Sequence, residues 1–364
     1  MSAPFEGFYK GRRVLVTGHT GFKGSWLSLW LHGLGGSVTG YALAPDEGLF
    51  RSCRLEEKID SVIGDVLDPD TLREVFDRFR PEVVFHLAAQ PLVRRSYREP
   101  ALTYATNLMG TVNVLEACRA TESVRAVVVV TSDKCYENRE WVWGYREEDP
   151  LGGADPYSSS KACAELACNA YRHSFFPPDG RSLHWKALSS VRSGNVIGGG
   201  DWAEDRLIPD CIRALGSGVP VSVRNPRSIR PWQHVLEPLN GYMTLAYKMW
   251  EEGSALSGAW NFGPLDEGAI TVGELVSKVV ELWGKGRWEN VSQSSHAGLH
   301  EAGALRLDTS KARTLLGWKP VLSLDEALRM TVEWYRHSPE NPKKMLRLTA
   351  DQIAWYTEVA FGKR

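Results

Sequence analysis

The sequence contains no run of about 18 apolar residues that would span a bilayer, and its first residues, MSAPFEGFYKGRR, lack the apolar core of a secretory leader. We therefore expect a cytoplasmic protein with no membrane partner. Cysteine is scarce. Six residues (Cys53, Cys118, Cys135, Cys163, Cys168, Cys211) are spread without a C-x-x-C pair, which argues against a zinc ribbon or a disulfide framework and for reduced thiols. Excess charge is absent too: 43 Lys+Arg stand against 44 Asp+Glu, so no global field draws the chain to nucleic acid or anionic lipid. Any anionic ligand must be met by local groups. His19, His86, His173, His234, His296 and His300 show no metal-ligand spacing, and no metal is expected. No repeat, charge block or low-complexity linker divides the chain.

What is present is an alternation. RRVLVTG is followed by a helical pattern from about Lys23 to Gly35, then by SVTGYAL and SVIGDV, a helix near Pro69 to Phe79, and EVVFHLAA. A further helix covers Tyr104 to Arg119, and RAVVVVTSD follows. The strand runs are nearly continuous apolar segments, as in parallel strands buried on both faces. The fold class implied is α/β, a Rossmann-type doubly wound parallel sheet with a smaller C-terminal substrate-binding region. After residue 190 the texture turns to Gly, Pro, Trp and Arg. We expect residues 1–190 to bind the cofactor and 191–364 mainly the substrate, with some later segments returning to the first sheet.

TGHTGFKG places Gly18, Gly21 and Gly24 between a strand and a helix. Glycines there let the backbone approach a pyrophosphate, and the helix start supplies N–H donors and a positive dipole end. No Asp or Glu closes the second strand, YALAP, to read a ribose, and no Arg stands there for a 2′-phosphate, so local chemistry leaves the choice of nicotinamide cofactor open. Asp65, in IGDV, suits either an adenine contact or a turn cap.

DPYSSSKACAE starts a helix with Pro156 and sets Tyr157 and Lys161 four residues apart on one face. A phenol with a pKa of about 10 needs a depression of about 3 units, roughly 4 kcal/mol, to act as a base near neutrality. In the order glycine loop, TSDK strand end, then Y-x-x-x-K, the chain resembles the extended short-chain dehydrogenase/reductase family. Within it, HLAAQPLVRRSY, TSDKCYENREWVWGYRE, RSGNVIGGGDWAEDRLIPD, RPWQHVLEPL and WNFGP are similar to the nucleotide-sugar 4,6-dehydratases, and specifically to their CDP-glucose branch. The resemblance covers residues 10 to 335.

That resemblance implies NAD as cofactor, CDP-glucose as substrate and a homodimer or homotetramer as the assembly. It implies cofactor contacts from Gly18, Thr20, Gly21, Phe22, Lys23, Gly24, Asp65, Val66, Leu87, Ala88, Ala89, Tyr157 and Lys161. Substrate contacts are implied for Gln90, Ser132, Asn195, Arg206, Arg224 and Arg230. Tyr157 would take the proton from the hydroxyl on carbon 4, Lys161 would lower the phenol pKa, and Ser132 would bond the same hydroxyl. Asp133 matches the general acid at carbon 6. Lys134 stands where the dTDP-glucose branch has Glu, and an ammonium accepts no proton, so it either loses its charge to become the base or stays charged and stabilises an enolate. A 4-epimerase or another dehydratase is the alternative within enzymes; a nucleotide sensor is the alternative outside them, and it would need no Tyr157 phenolate.

Overall fold

A computed structural model describes residues 4–176, 185–264, 269–291, 305–338 and 341–362; His296 and His300 lie outside them. Seven strands, β1 (Arg13–Thr17), β2 (Ser37–Ala42), β3 (Asp60–Ile63), β4 (Val83–His86), β5 (Ala126–Val130), β6 (Ala187–Arg192) and β7 (Gly258–Asn261), form one sheet in the order β7-β6-β5-β4-β1-β2-β3. Every neighbouring pair is parallel. The apolar runs are continuous because both faces are covered. Val127 and Val129 pack with Leu15, Val84 and Leu188 on one side, while Ala126, Val128 and Val130 pack with Val14, Val16 and Val83 on the other.

The longer helices are α1 (Phe22–Gly33), α2 (Pro69–Phe79), α3 (Gly110–Ala120), α4 (Pro156–Ser174), α5 (Leu207–Gly216), α6 (Leu236–Glu252), α7 (Val272–Trp283), α8 (Leu324–His337) and α9 (Pro342–Phe361). Leu72 and Phe76 of α2, Val114 and Cys118 of α3 and Cys168 of α4 bury one face of the sheet. Trp26 and Trp30 of α1, Leu239 and Met243 of α6 and Trp334 of α8 join the core on the other. The expected helix from Tyr104 to Arg119 is interrupted: Ala105–Met109 is a π-helical turn that runs into α3. At the head of α4 the Asp155 side chain accepts from Ser158 N at 2.9 Å with Pro156 in the first turn, a cap that contributes about 1 kcal/mol.

From β1 the chain runs outward through β2 to β3, and from β4 it runs the opposite way to β7. The loops that leave β1 and β4 therefore diverge, and the crevice between them, at the carboxyl ends of the strands, is where such sheets bind ligands. The second half lends β7 to the sheet edge. It also supplies short ribbons that line this crevice, including Val196–Ile197 paired with Gln233–His234 and Val221–Val223 paired with Trp288–Asn290.

Candidate active site

A cavity of about 1640 Å³ opens at these strand ends, and every cofactor, substrate and catalytic residue named from the sequence lines it. Its two ends are built differently. At the β1 end the backbone does the work. Gly18 has φ +75°, and a Cβ there would lie 2.7 Å from Ala88 N; a Cβ on Gly24 would lie 2.1 Å from Gly18 O. Only glycines let this loop lie against the β4 loop and under the start of α1. Gly21 caps α1 without a side-chain bond, which leaves the helix start to an external acceptor, so the cradle fits the pyrophosphate of a dinucleotide. Thr20 donates to Leu43 O at 3.0 Å, and Asp65 Oδ1 accepts from Leu67 N at 2.9 Å, so one oxygen of that carboxylate holds its own turn.

At the β5 end side chains dominate. The strand stops at Val130, and Ser132 caps a 3₁₀ turn, Asp133–Cys135, that takes the chain out of the sheet. Adjacent residues on a strand face opposite ways, but this turn brings both Asp133 and Lys134 to one cavity. Ser132 Oγ donates to Asp133 Oδ1 at 3.0 Å and accepts from Lys134 N at 3.2 Å. Asp133 is buried and Lys134 exposed. Behind Asp133 the backbone of Gly194 comes so close that a Cβ there would sit 1.8 Å from Oδ2.

Tyr157 is buried, and burial pushes its phenol up to about 12; the hydrogen bond with Ser132 pulls it down, Asp133 raises it, and Arg206 lowers it. Lys161 Nζ donates to Val130 O at 3.2 Å, and burial lowers its pKa to about 8 against the attraction of Glu165. In this arrangement the cation acting on the phenol is Arg206. Lys23, at the start of α1, sends its Nζ to Ser193 Oγ at 2.9 Å, and Ser193 Oγ lies 2.6 Å from Tyr242 OH. Burial first, then repulsion by Arg206, lowers Lys23 to about 7, with Asp133 and Asp201 opposing and Lys161 adding to the repulsion.

The arginines are partnered by the chain itself. Arg206 pairs with Asp201 at 2.7 Å, Asp205 forms ion pairs with both Arg94 at 3.2 Å and Arg224 at 3.7 Å, and Arg230 Nη1 donates to Ile229 O at 2.9 Å. Asn195 stands in the left-handed region, φ +49°, with its carbonyl accepting from Gln233 N at 3.2 Å. Gln90, named as a substrate contact, has its amide committed elsewhere: Oε1 accepts from Leu92 N at 2.7 Å, and Nε2 donates to Thr103 Oγ1 at 2.9 Å.

Under this floor lies a buried network that sequence reasoning missed. Glu165 pairs bidentately with Arg192 at 2.8 and 3.0 Å and also accepts from Ser190 and Thr131. Arg192 Nη1 donates to Tyr136 OH at 2.7 Å, and Tyr136 donates to Asn261 Oδ1 at 2.8 Å, which ties the turn after Asp133 to β6 and β7. The signal was present: Glu165 stands four residues beyond Lys161 on α4, and Arg192 ends an otherwise uncharged strand. Sequence reasoning also missed Arg94, which lines the cavity; Trp232 lines it too, and its buried Nε1 has no hydrogen-bond partner among the described residues.

Residues 15–331 match the family described as GDP-mannose 4,6 dehydratase. The chain belongs to this family. It is 55% identical over 333 residues to a CDP-glucose 4,6-dehydratase of Salmonella typhimurium, covering 91% of this chain and 92% of that protein. Among solved structures it resembles the UDP-glucose 4-epimerase of Thermus thermophilus in complex with NAD, with 26% identity, a TM-score of 0.73, and 89% and 98% of the two chains covered. The complex of MoeE5 with UDP-glucose and NAD is similar at 26% identity and a TM-score of 0.73, covering 90% of this chain and 99% of that one. Relatives thus include both dehydratases and epimerases, and the choice between them rests on the β5 end of the cavity.

Proposed function

We propose that this protein is an NAD-dependent CDP-D-glucose 4,6-dehydratase, converting CDP-D-glucose to CDP-4-keto-6-deoxy-D-glucose and water. The observation that carries the reading is the buried Asp133 carboxyl beside Ser132, set in one cavity with Tyr157. A 4-epimerase moves hydride away from and back to one carbon and needs no acid for a departing hydroxyl; a dehydratase does. The similarity to the Salmonella enzyme supports CDP-glucose as the sugar donor.

When bound, NAD supplies a hydride acceptor at carbon 4 and returns the hydride to carbon 6. The backbone of the Gly18–Gly24 loop, the Leu87–Ala89 segment, Val66 and Lys161 would hold it. Tyr157 takes the proton of the carbon 4 hydroxyl, with Ser132 bonded to the same oxygen. The phenol must fall from about 12 for this, and Ser132 and Arg206 already act in that direction. The resulting ketone acidifies the carbon 5 proton. Lys134, as the free amine, accepts the carbon 5 proton to leave an enolate, and Asp133 protonates the carbon 6 oxygen so that the carbon–oxygen bond breaks and water leaves. The ammonium so formed on Lys134 stabilises the enolate oxygen. Arg206, Arg224 and Arg230 hold the pyrophosphate, exchanging part of their present pairing for phosphate oxygens. Gln90 contributes by shaping the 90–92 loop.

Leu102, Met109 and Leu166 are exposed on the elements Pro100–Tyr104, Ala105–Met109 and α4. Together they support a homodimer joined through these helices. Incubation with NAD and each of CDP-, UDP-, GDP- and dTDP-glucose tests the function. We expect the 4-keto-6-deoxy sugar from CDP-glucose; no keto sugar from any donor, with NAD bound normally, would sink the reading.

A further inference from the structure

The glycine loop contains a residue whose side chain departs from the loop's own task. The backbone of Lys23 belongs to the start of α1, in the cradle for the cofactor, but its side chain runs to Ser193 on the segment after β6. That segment continues into Gly194, whose backbone is the wall against the Asp133 carboxylate. Ser193 is fixed from its other side by Tyr242 of α6, itself buried. Lys23, Ser193, Gly194 and Asp133 thus form a continuous line from the cofactor loop to the acid at the sugar end, and all four line one cavity.

We propose that the Lys23 side chain is a positioning residue for the elimination half of the reaction, acting as an ammonium that holds Ser193 and Gly194 in place and so seats the Asp133 carboxyl. The inference deepens the dehydratase reading and rests on it. Three observations favour it over a role in the cofactor cradle. Nζ donates to a hydroxyl on the sugar-end wall. The ammonium also lies 5.9 Å from the Tyr242 ring centroid, so the same α6 residue contacts both Lys23 and Ser193. Finally, the charges around it, Asp133, Asp201, Arg206 and Lys161, come from the β5 turn, the 201–206 segment and α4, all outside the glycine loop.

Burial and the cations Arg206 and Lys161 hold Lys23 at about 7, below its ordinary 10.5, so its charge is lost near neutrality; Asp133 and Asp201 oppose that loss, and Tyr242 adds no charge while protonated. Pyrophosphate groups in the cavity shift the loss upward. Elimination, and not oxidation, is therefore expected to fall as pH rises between about 7 and 10.5.

The test is single-turnover kinetics of full-length wild type, Lys23→Met and Lys23→Arg with CDP-glucose, following NADH absorbance for oxidation and 4-keto-6-deoxy product for completion. In Lys23→Met we expect oxidation within about threefold of wild type and elimination slower by about tenfold or more, so that NADH accumulates. Lys23→Arg keeps a charge that does not titrate, and should restore elimination in part and abolish its alkaline decline. Unchanged partition between the two steps in Lys23→Met overturns the proposal. So does a Lys23→Arg profile with the same alkaline limb, or a Lys23→Met variant whose defect is confined to NAD affinity, which would return the side chain to the cofactor cradle. Failure of wild type itself to form any keto sugar would instead refute the dehydratase reading. Circular dichroism of both variants separates these outcomes from misfolding.

Discussion

The two ends of the cavity solve different problems with different parts. At the β1 end, selection acts on what is missing from side chains: Gly18 and Gly24 leave room for backbone to pass within van der Waals distance of backbone. At the β5 end, selection acts on charge: Asp133 is seated by Ser132 and Gly194, and the turn that carries it is anchored through Tyr136, Arg192 and Glu165. A cofactor retained through the cycle needs a rigid, uncharged cradle. A sugar that is oxidised, dehydrated and reduced needs groups that change protonation state, and those must be held by partners elsewhere in the chain.

The contrast predicts that substitutions at the two ends fail differently. The largest effect is expected from Gly194→Ala, whose Cβ has no room beside Asp133 Oδ2. Elimination should fall by about 10²-fold or more while NAD titration remains close to wild type, since only the acid is displaced. Gly18→Ala should do the reverse, weakening NAD binding at a position with φ +75° and leaving the partition between oxidation and elimination unaltered. Wild-type NAD affinity in Gly18→Ala would break the comparison.

Tyr157→Phe comes next. It removes the proton acceptor for carbon 4 oxidation, and single-turnover NADH formation should drop by about 10²-fold. Because burial places the phenol near 12 and phenolate is the working form, NADH formation in wild type should rise with pH on the alkaline side. Lys134→Met, by contrast, should slow elimination yet leave NADH formation detectable, and full activity in that variant would make Lys134 a bystander.

A smaller effect on chemistry, but a large one on stability, is expected from Arg192→Met. Both partners of the Glu165–Arg192 pair are almost fully buried, and removing one leaves an uncompensated charge at a cost of about 3–5 kcal/mol. Glu165 is held below the usual carboxylate range by Arg192 and by its hydroxyl partners, against the cost of burial. A depressed carboxyl contributes stability above its unfolded pKa and loses that contribution as pH falls through the folded value. Wild type should thus lose stability on acidification more steeply than Arg192→Met, as measured by chemical denaturation across pH. The smallest effect concerns assembly: Leu166→Lys should shift the particle mass in light scattering toward the monomer with little loss of intrinsic activity.

How much was legible in the sequence follows the same division. RAVVVV announced a buried strand, DPYSSSKACAE a capped helix, and TGHTGFKG a tight loop, because each signal is local and repeats a backbone constraint. The doubly wound sheet follows from their alternation. The π-helical turn at Ala105–Met109 left no such mark. It sits where Asn107 reaches both Gln90 and Ser160, a tertiary demand that no periodicity encodes. Partners were equally hidden. That Gln90 spends its amide on Leu92 and Thr103 and that Arg206 is tied to Asp201 depend on how irregular loops fold back on themselves, and that Lys23 reaches Ser193 across 170 positions is a fact of long-range packing. The TSDK stretch was readable as residue types, together with the requirement that the chain leave the strand there; the 3₁₀ turn that does this and brings Asp133 and Lys134 to one side is seen in the fold.

The central claim is that the β5 end turns an oxidation shared with epimerases into a dehydration. The most direct measurement is a single turnover of CDP-glucose by Asp133→Asn carrying NAD, monitored for NADH and for loss of the carbon 6 hydroxyl. The account predicts NADH formation with little or no 4-keto-6-deoxy product, because the acid is gone while Tyr157 and the cradle remain. Release of that product at the wild-type rate from the variant would contradict it.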